Sequence, residues 1–281
     1  MTRLAFIGFG EAGQAFAGSI ERGGLAAVAA YDPKPLGAAM AAREVVPAPD
    51  RAAALSGAGA VWCLVTADRA EAAARECAPF LAPGTLWFDG NSCAPGAKRR
   101  AAGVIDGAGG RYVDVAIMAP VHPLRSRVPL LLAGPHARAA AASLAALGMN
   151  PAIAGETVGQ ASTIKMLRSV MIKGLEALTA ECLLGARRAG VEEAVLASLQ
   201  ASDPGLDWTA RAAYNLERMA VHGTRRAAEM HEVARTLADL GLPERMASAT
   251  ADWQAQIGAL GVAMDEGLAA RADALLAALG R

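Results

Sequence analysis

Charge of one sign is missing from this chain: 27 basic side chains balance 27 acidic ones, and the formal net charge is zero. Aromatic residues make up only 4% of it. It therefore has neither the basic field nor the stacking platform that a nucleic-acid partner requires. Long apolar runs are missing too. Although 54% of residues are hydrophobic, no run approaches the roughly 18–20 residues of a membrane span. The first residues, Met1-Thr2-Arg3-Leu4, lead straight into a strand-like segment, so no signal peptide and no membrane partner are expected. Cys63, Cys77, Cys93 and Cys182 are scattered with no C-x-x-C pair, which suits a reduced, cytoplasmic protein. Four histidines without H-E-x-x-H spacing speak against metal catalysis, and neither a G-x-S-x-G elbow nor a P-loop is present. Lysine is scarce as well. Lys34, Lys98, Lys165 and Lys173 are the only four, which makes the pair on one predicted helix worth examining.

What is present is an alternation. Strand-like segments at Leu4–Gly8, Leu25–Tyr31, Val45-Val46, Ala60–Val65, Leu86–Asp89, Arg111–Ile117 and Pro129–Ala133 are interleaved with alanine-rich helical ones, among them Glu11–Arg22 and His136–Leu147. Asp68 is placed to cap the helix that runs to Cys77, and a Gly/Pro-containing loop is expected after Asp89. Such alternation predicts a mostly parallel sheet with crossover helices. The character changes near Gly155. Beyond it the pattern is helical only: one long helix through Val158–Ala189, then segments at Glu192–Ala201, Trp208–Val221, Arg225–Leu240 and from Pro243 onward. The expected division is 1–155 and 156–281.

Phe6-Ile7-Gly8-Phe9-Gly10-Glu11-Ala12-Gly13 follows a strand and opens a helix. This is G-x-G-x-x-G in the context that gives it meaning. Gly8 permits the tight turn, Gly10 lets a pyrophosphate approach the backbone, and Gly13 lets the helix pack on the strand. The phosphates would meet the N–H groups of the helix start, at Glu11 and Ala12. Asp32, 19 residues after Gly13 at the end of the second strand, is placed to accept ribose hydroxyls. Its charge disfavours a 2′-phosphate, so NAD is expected over NADP, although Lys34 two residues later could reverse the choice. Val65 and Thr66, at the end of a neighbouring strand, complete the cofactor candidates that spacing offers. The fold class is thus α/β: an N-terminal Rossmann-type, mostly parallel sheet followed by an all-α C-terminal domain.

With the fingerprint goes a second segment. Gly155-Glu156-Thr157-Val158-Gly159-Gln160-Ala161-Ser162-Thr163-Ile164-Lys165 matches, through its lysine, the G-x-x-G-x-x-x-x-x-K-x-x-N-N segment of the β-hydroxyacid dehydrogenases. The chain resembles that superfamily over nearly its whole length. The group includes 3-hydroxyisobutyrate dehydrogenase, tartronate semialdehyde reductase and 6-phosphogluconate dehydrogenase, and the chain looks closest to a 6-phosphogluconate-dehydrogenase-like subgroup. The resemblance implies Lys165 as acid/base. Ser169 stands where the family has asparagine, about 40° round the helix from Lys165, and Arg168 precedes it. Lys173, two turns on, could contact substrate or pair with Glu176. Asp89-Gly90-Asn91-Ser92 resembles the D-G-G-N-S turn, which implies that Asn91 and Ser92 lie at the nicotinamide ring and the substrate. Two departures point to a changed substrate. The D-x-x-x-S-G-G loop reads Asp114-Val115-Ala116-Ile117-Met118-Ala119-Pro120 here, and continues with His122, Arg125 and Arg127 as alternative anion ligands. Met118 falls in this loop both as a packing residue and as a candidate against substrate. The K-D-L helix of the family appears as Ala228-Glu229-Met230.

These readings lead to hydride transfer between NAD or NADP and a small anionic β-hydroxy acid, or its semialdehyde or keto form. Oxidative decarboxylation of a sugar acid is the second enzyme reading, and a non-catalytic NAD(P)-binding sensor the reading from another class. Imine reductases share the architecture but lack the lysine that Lys165 matches. Apolar side chains on more than one side of the long helix suggest a homodimer formed through the helical domain.

Overall fold

The structure is a computed structural model, and it describes residues 2–280. Strand β1 (Thr2–Ile7) is followed by α1 (Glu11–Ala17), β2 (Leu25–Tyr31), α2 (Gly37–Ala41), β3 (Val46–Pro47), α3 (Arg51–Leu55), β4 (Ala58–Cys63) and α4 (Ala70–Cys77). Then come β5 (Leu86–Asp89), α5 (Pro95–Gly107), β6 (Arg111–Ile117), β7 (Pro129–Ala133), α6 (Ala137–Ala145) and β8 (Asn150–Gly155). Five helices complete the chain: α7 (Gln160–Ala189), α8 (Glu192–Ser202), α9 (Trp208–Asp239), α10 (Arg245–Ala259) and α11 (Leu268–Leu279). Two compact units divide between Lys165 and Met166, inside α7 and ten residues beyond Gly155.

In the first unit the eight strands form one sheet in the order β3-β2-β1-β4-β5-β6-β7-β8. Every pairing is parallel except β6 with β7. Both faces are covered, so successive residues of a strand enter two different cores. Leu4 and Phe6 face one core with Phe16, Trp62 and Phe88; Ala5 and Ile7 face the other with Val61, Cys63, Trp87 and Tyr112. The Trp62 ring lies 5.1 Å from that of Phe16 and 5.2 Å from that of Phe88. The strand order reverses between β1 and β4, and a crevice at such a switch point is where open α/β sheets bind ligands.

Several elements differ from expectation. Helix α1 stops at Ala17, and Gly18 caps it. Asp68 does not cap a helix: it sits inside a 3-10 turn at Ala67–Arg69, and α4 starts only at Ala70. The stretch after Asp89 is a loop only as far as Ala94. Pro95 then starts α5, at a position where its missing N–H costs nothing. Strand β8 was not expected. It pairs with β7 along one edge of the sheet, where Pro151 is tolerated because an edge strand can spare an N–H.

In the second unit α9 is one helix of 32 residues, where two segments parted near Gly223 were expected. Gly223 does not break it. A Cβ there would lie 2.3 Å from Gln254 O and 2.8 Å from Gly258 Cα, so the glycine is what lets α9 and α10 cross in backbone contact. The core of this unit joins Ala180, Leu183 and Leu184 of α7 to Leu216 and Met219 of α9, Ile257 of α10 and Leu275 of α11. Among the described residues no helix is long and apolar enough to cross a membrane.

Candidate functional site

The glycine turn after β1 has the strain and the crowding that its sequence foretold. Gly8 has φ +90°, and a Cβ on it would stand 2.4 Å from Leu64 O. A Cβ on Gly13 would stand 2.9 Å from Gly8 O, so α1 lies directly on the turn. Above Gly10 there is open space: nothing lies within 4 Å of where a Cβ would be. Gly10 is also the N-cap of α1 and brings no side chain to it, while Glu11 is exposed and Ala12 half-buried. The turn is fastened to β2 on its far side. Phe9 N donates to Asp32 Oδ2 at 2.7 Å, and Lys34 N donates to Asp32 Oδ1 at 2.9 Å. Each oxygen keeps capacity for a ribose hydroxyl. Lys34 itself is exposed. Val65 borders the same turn, its Cγ1 3.1 Å from the position a Gly8 Cβ would take, and Thr66 beside it is exposed.

The loop that follows β5 carries Asn91 and Ser92. Asn91 is buried. Its backbone N and its Nδ2 donate to Asp89 Oδ1 at 3.0 and 2.7 Å, and Nδ2 also reaches Cys63 Sγ at 3.4 Å. Its Oδ1 is buried and accepts no hydrogen bond. Ser92 is half-buried, and its Oγ accepts from Lys165 Nζ at 2.7 Å. The resemblance gave the two residues separately; the fold brings them together across 73 positions of sequence.

Lys165 reaches Ser92 because of how α7 begins. Asp114 Oδ2, on β6, accepts from Gly159 N at 3.1 Å, Ser162 N at 3.0 Å and Ser162 Oγ at 3.1 Å. A buried carboxylate thus caps the first turn, where N–H groups have no partner within the helix and the helix dipole favours negative charge. Lys98 lies behind this carboxylate and Asp89. Its Nζ donates to Asp89 O at 2.6 Å and Asp89 Oδ1 at 2.9 Å, and stands 3.5 Å from Asp114 Oδ1. Burial works against its charge, but Asp89 and Asp114 outweigh that and hold its pKa above the ordinary lysine value. Tyr112 Oη donates to Asp89 Oδ2 at 2.6 Å, and burial together with Asp89 raises its pKa. Burial and Asp89 likewise raise the Cys63 thiol. Sequence reading passed over Lys98. The available signal was that it is one of only four lysines and falls on an otherwise apolar helix face with Ala101, Ala102 and Ile105.

The remaining candidates are placed as follows. Met118 is half-buried and packs against Ala116, Ala133 and Ala161. His122, Arg125 and Arg127 are exposed, and their segment is held to the end of α1 by Ser126, whose N and Oγ bond Ser19 Oγ and Ser19 O at 3.0 and 2.9 Å. In the second unit Arg168 is exposed, whereas Ser169 and Lys173 are buried. Lys173 does not pair with Glu176, one of the two expectations for it. Its Nζ lies 3.0 Å from Glu229 Oε2 and 3.2 Å from Ser169 Oγ. Glu176 is taken by Arg226 and by Gln254 Nε2, the latter at 2.8 Å. A helix face chosen by spacing alone could not show that α9 would present Glu229 to that lysine. Among the described residues no group of three His, Cys, Asp or Glu side chains is arranged to hold a metal ion.

Comparison with known proteins gives matches over both units. Residues 3–146 match the family described as the NAD binding domain of 6-phosphogluconate dehydrogenase, and residues 186–257 a domain of unknown function, DUF1932. A conserved hypothetical protein from Sinorhizobium meliloti 1021 is 42% identical over 99% of this chain and 97% of its own, with a TM-score of 0.79. A conserved protein of unknown function, described as structurally similar to 3-hydroxyacid dehydrogenases, is 29% identical over 93% of this chain and 100% of its own, with a TM-score of 0.71. Mycobacterium tuberculosis 3-hydroxyisobutyrate dehydrogenase shares the fold at 18% identity, with a TM-score of 0.77 over 98% of this chain and 99% of its own. No curated protein matches.

Proposed function

The chain belongs to the family of the NAD-binding domain of 6-phosphogluconate dehydrogenase, within the β-hydroxyacid dehydrogenase superfamily, and from that premise we propose that it transfers hydride between a nicotinamide cofactor and a small anionic β-hydroxy acid or its carbonyl form. The single observation that carries the reading is the 2.7 Å bond from Lys165 Nζ to Ser92 Oγ. It joins the one lysine that the family resemblance marks to the loop that follows the nucleotide-binding strands.

The residues present fit the cofactor. Gly10 leaves open space at the start of α1, Gly8 and Gly13 let the turn and the helix close on each other, Asp32 offers acceptors at the end of β2, and Asn91 Oδ1 is a buried acceptor without a donor. When bound, the nicotinamide ring supplies the hydride acceptor or donor. The protein's own part is the proton. In the oxidative direction a neutral Lys165 Nζ takes the hydroxyl proton as the C–H electron pair departs; in the reductive direction the ammonium returns it. Ser92 Oγ keeps Nζ directed and can share the substrate oxygen. His122, Arg125 and Arg127, exposed on one segment of the first unit, offer donors to a substrate anion.

The test is a panel of hydroxy acids and their aldehydes with both cofactors, read as absorbance of reduced nicotinamide. Lys165→Met should lower turnover of whichever compound reacts by about 10²–10⁴-fold, the usual worth of a general acid/base, with cofactor affinity unchanged. A loss below about tenfold would remove the role from Lys165. Activity confined to neutral alcohols would count against an anionic substrate.

A further inference from the structure

Lys98 takes no part in the proton or cofactor chemistry above, yet its side chain is wholly buried. It faces Asp89 from β5, Asp114 from β6, Cys63 from β4 and the Cys93 thiol from the loop before α5. Asp89 and Asp114 are register partners on adjacent strands, and both are buried. Two carboxylates set side by side away from water repel each other, and one would take a proton or turn away unless a cation stood between them. Each carboxylate also holds a different half of the candidate site. Asp89 Oδ1 accepts from both nitrogens of Asn91, next to Ser92. Asp114 Oδ2 accepts from Gly159 N and Ser162 N, in the turn of α7 that precedes Lys165.

We propose that Lys98 is a positioning residue: its buried ammonium holds the carboxylates of Asp89 and Asp114 together, and through them sets the Ser92 loop and the first turn of α7 so that Lys165 meets Ser92. The inference rests on the reading above only in naming Lys165 the acid/base. Without the ammonium, Asp89 and Asp114 face each other uncompensated. The one that moves or becomes protonated releases its backbone N–H partners, and the Ser92–Lys165 contact opens. Lys98→Met removes the charge and keeps most of the side-chain length.

The scarcity of lysine makes the test direct. Full-length protein labelled with ¹³C at lysine Cε has four such signals, one each for Lys34, Lys98, Lys165 and Lys173, assigned by single Lys→Met variants. In the wild type the Lys165 side chain should show a nuclear Overhauser cross-peak to the Ser92 β protons. In Lys98→Met that cross-peak should be lost and the Lys165 signal displaced, with Lys34 unmoved. The amides of Gly159 and Ser162 should exchange about tenfold faster or more as their acceptor loosens. The charge-balanced Lys98→Met/Asp89→Asn variant should recover the cross-peak, because the new amide can still accept from Asn91 N and donate to Tyr112 Oη. Recovery separates charge balance from simple filling of the core, and it also serves where the single variant does not fold. An unchanged Lys165 signal and cross-peak in folded Lys98→Met overturns the proposal, as does a folded double variant without the cross-peak. The wild type alone supplies a further check. The Lys98 signal must hold its protonated position as pH is raised through the ordinary lysine value of 10.5, and a Lys98 that loses its proton below that value overturns the proposal. Turnover by Lys165→Met would defeat the acid/base reading and leave these outcomes intact.

Discussion

Asp32 spends one hydrogen bond of each carboxylate oxygen on the backbone N–H groups of Phe9 and Lys34. Its charge is therefore held at the mouth of the glycine turn by the turn itself. A 2′-phosphate brought there would meet like charge, so calorimetry should find tighter binding of NAD(H) than of NADP(H). The opposite order would mean that Lys34 outweighs Asp32. A second expectation at this scale concerns alkaline pH. Burial pushes the Cys77 thiol from 9.0 up to about 12, and burial also raises Cys63 and Tyr112. These groups keep their protons in the folded chain and lose them sooner when unfolded. The stability they contribute is thus fully present below pH 9 and is lost as pH rises from about 9 towards 12. Lys98, raised as well, adds to the same fall higher in that range. Urea midpoints measured under reducing conditions should decline from pH 8 to pH 10.5; a flat profile would contradict the burial of these thiols. Legibility at this scale was uneven. Gly8, Gly10, Gly13 and Asp32 could be read because their spacing is local. Lys98 could not, because what makes it unusual is two carboxylates on strands that reach it only through the sheet.

Helices α9 and α10 show what an element-level pattern omits. Gly223 reads in sequence as a weak point, since glycine costs about 1 kcal/mol against alanine within a helix. In the fold it is a contact point, with Gln254 O and Gly258 occupying the space a Cβ would need. Gly223→Ala should therefore destabilise the protein by roughly 1–3 kcal/mol, the range for overpacking a tight core, despite its better helix propensity. Gly103→Ala is the matched opposite. It lies exposed within α5, with nothing within 4 Å of the new methyl group. That change should stabilise by about 0.5–1 kcal/mol. Thermal melts of the two variants should move in opposite directions, and a stabilised Gly223→Ala would show that the crossing has slack. Periodicity found most helices of the second unit but placed a break at the glycine, because propensity is local and the crossing is not.

For the whole molecule the open matter is association. One side of α7 feeds the core of the second unit through Ala177, Ala180, Leu183 and Leu184, while Leu167, Met171, Leu175 and Leu178 stay exposed, Met171 at 63%. These four fall within an arc of about 80° at 100° per residue. The sequence places apolar side chains on more than one side of this helix, and the structure divides them between a buried face and an exposed stripe. Exposed apolar stripes of this kind mark interaction surfaces. We propose that a second copy of the chain covers it, as isologous two-fold association would allow. Light scattering over a dilution series should give twice the chain mass, and Leu178→Glu should shift the mass towards one chain while helix content is kept. A folded, active monomer at all concentrations would falsify it.

The sequence by itself determined the class of fold and the cofactor turn. A strand followed by G-x-G-x-x-G, a helix, a second strand and an acid can be satisfied in few ways, since each spacing is set by backbone geometry over some thirty residues or fewer. It also determined, through one matched segment, which lysine to examine. Only the tertiary structure decided which groups meet. Ser92 lies 73 positions from Lys165, and Asp114 lies 45 and 48 positions from the two amides it caps. Lys173 has Glu229 and not Glu176 as its partner, from a helix 56 positions on. The reason is physical. A helix or turn is specified by neighbours within a few residues, whereas a buried charge is specified by whatever the closed fold brings within about 3 Å of it, and that set exists only once strands and helices have packed.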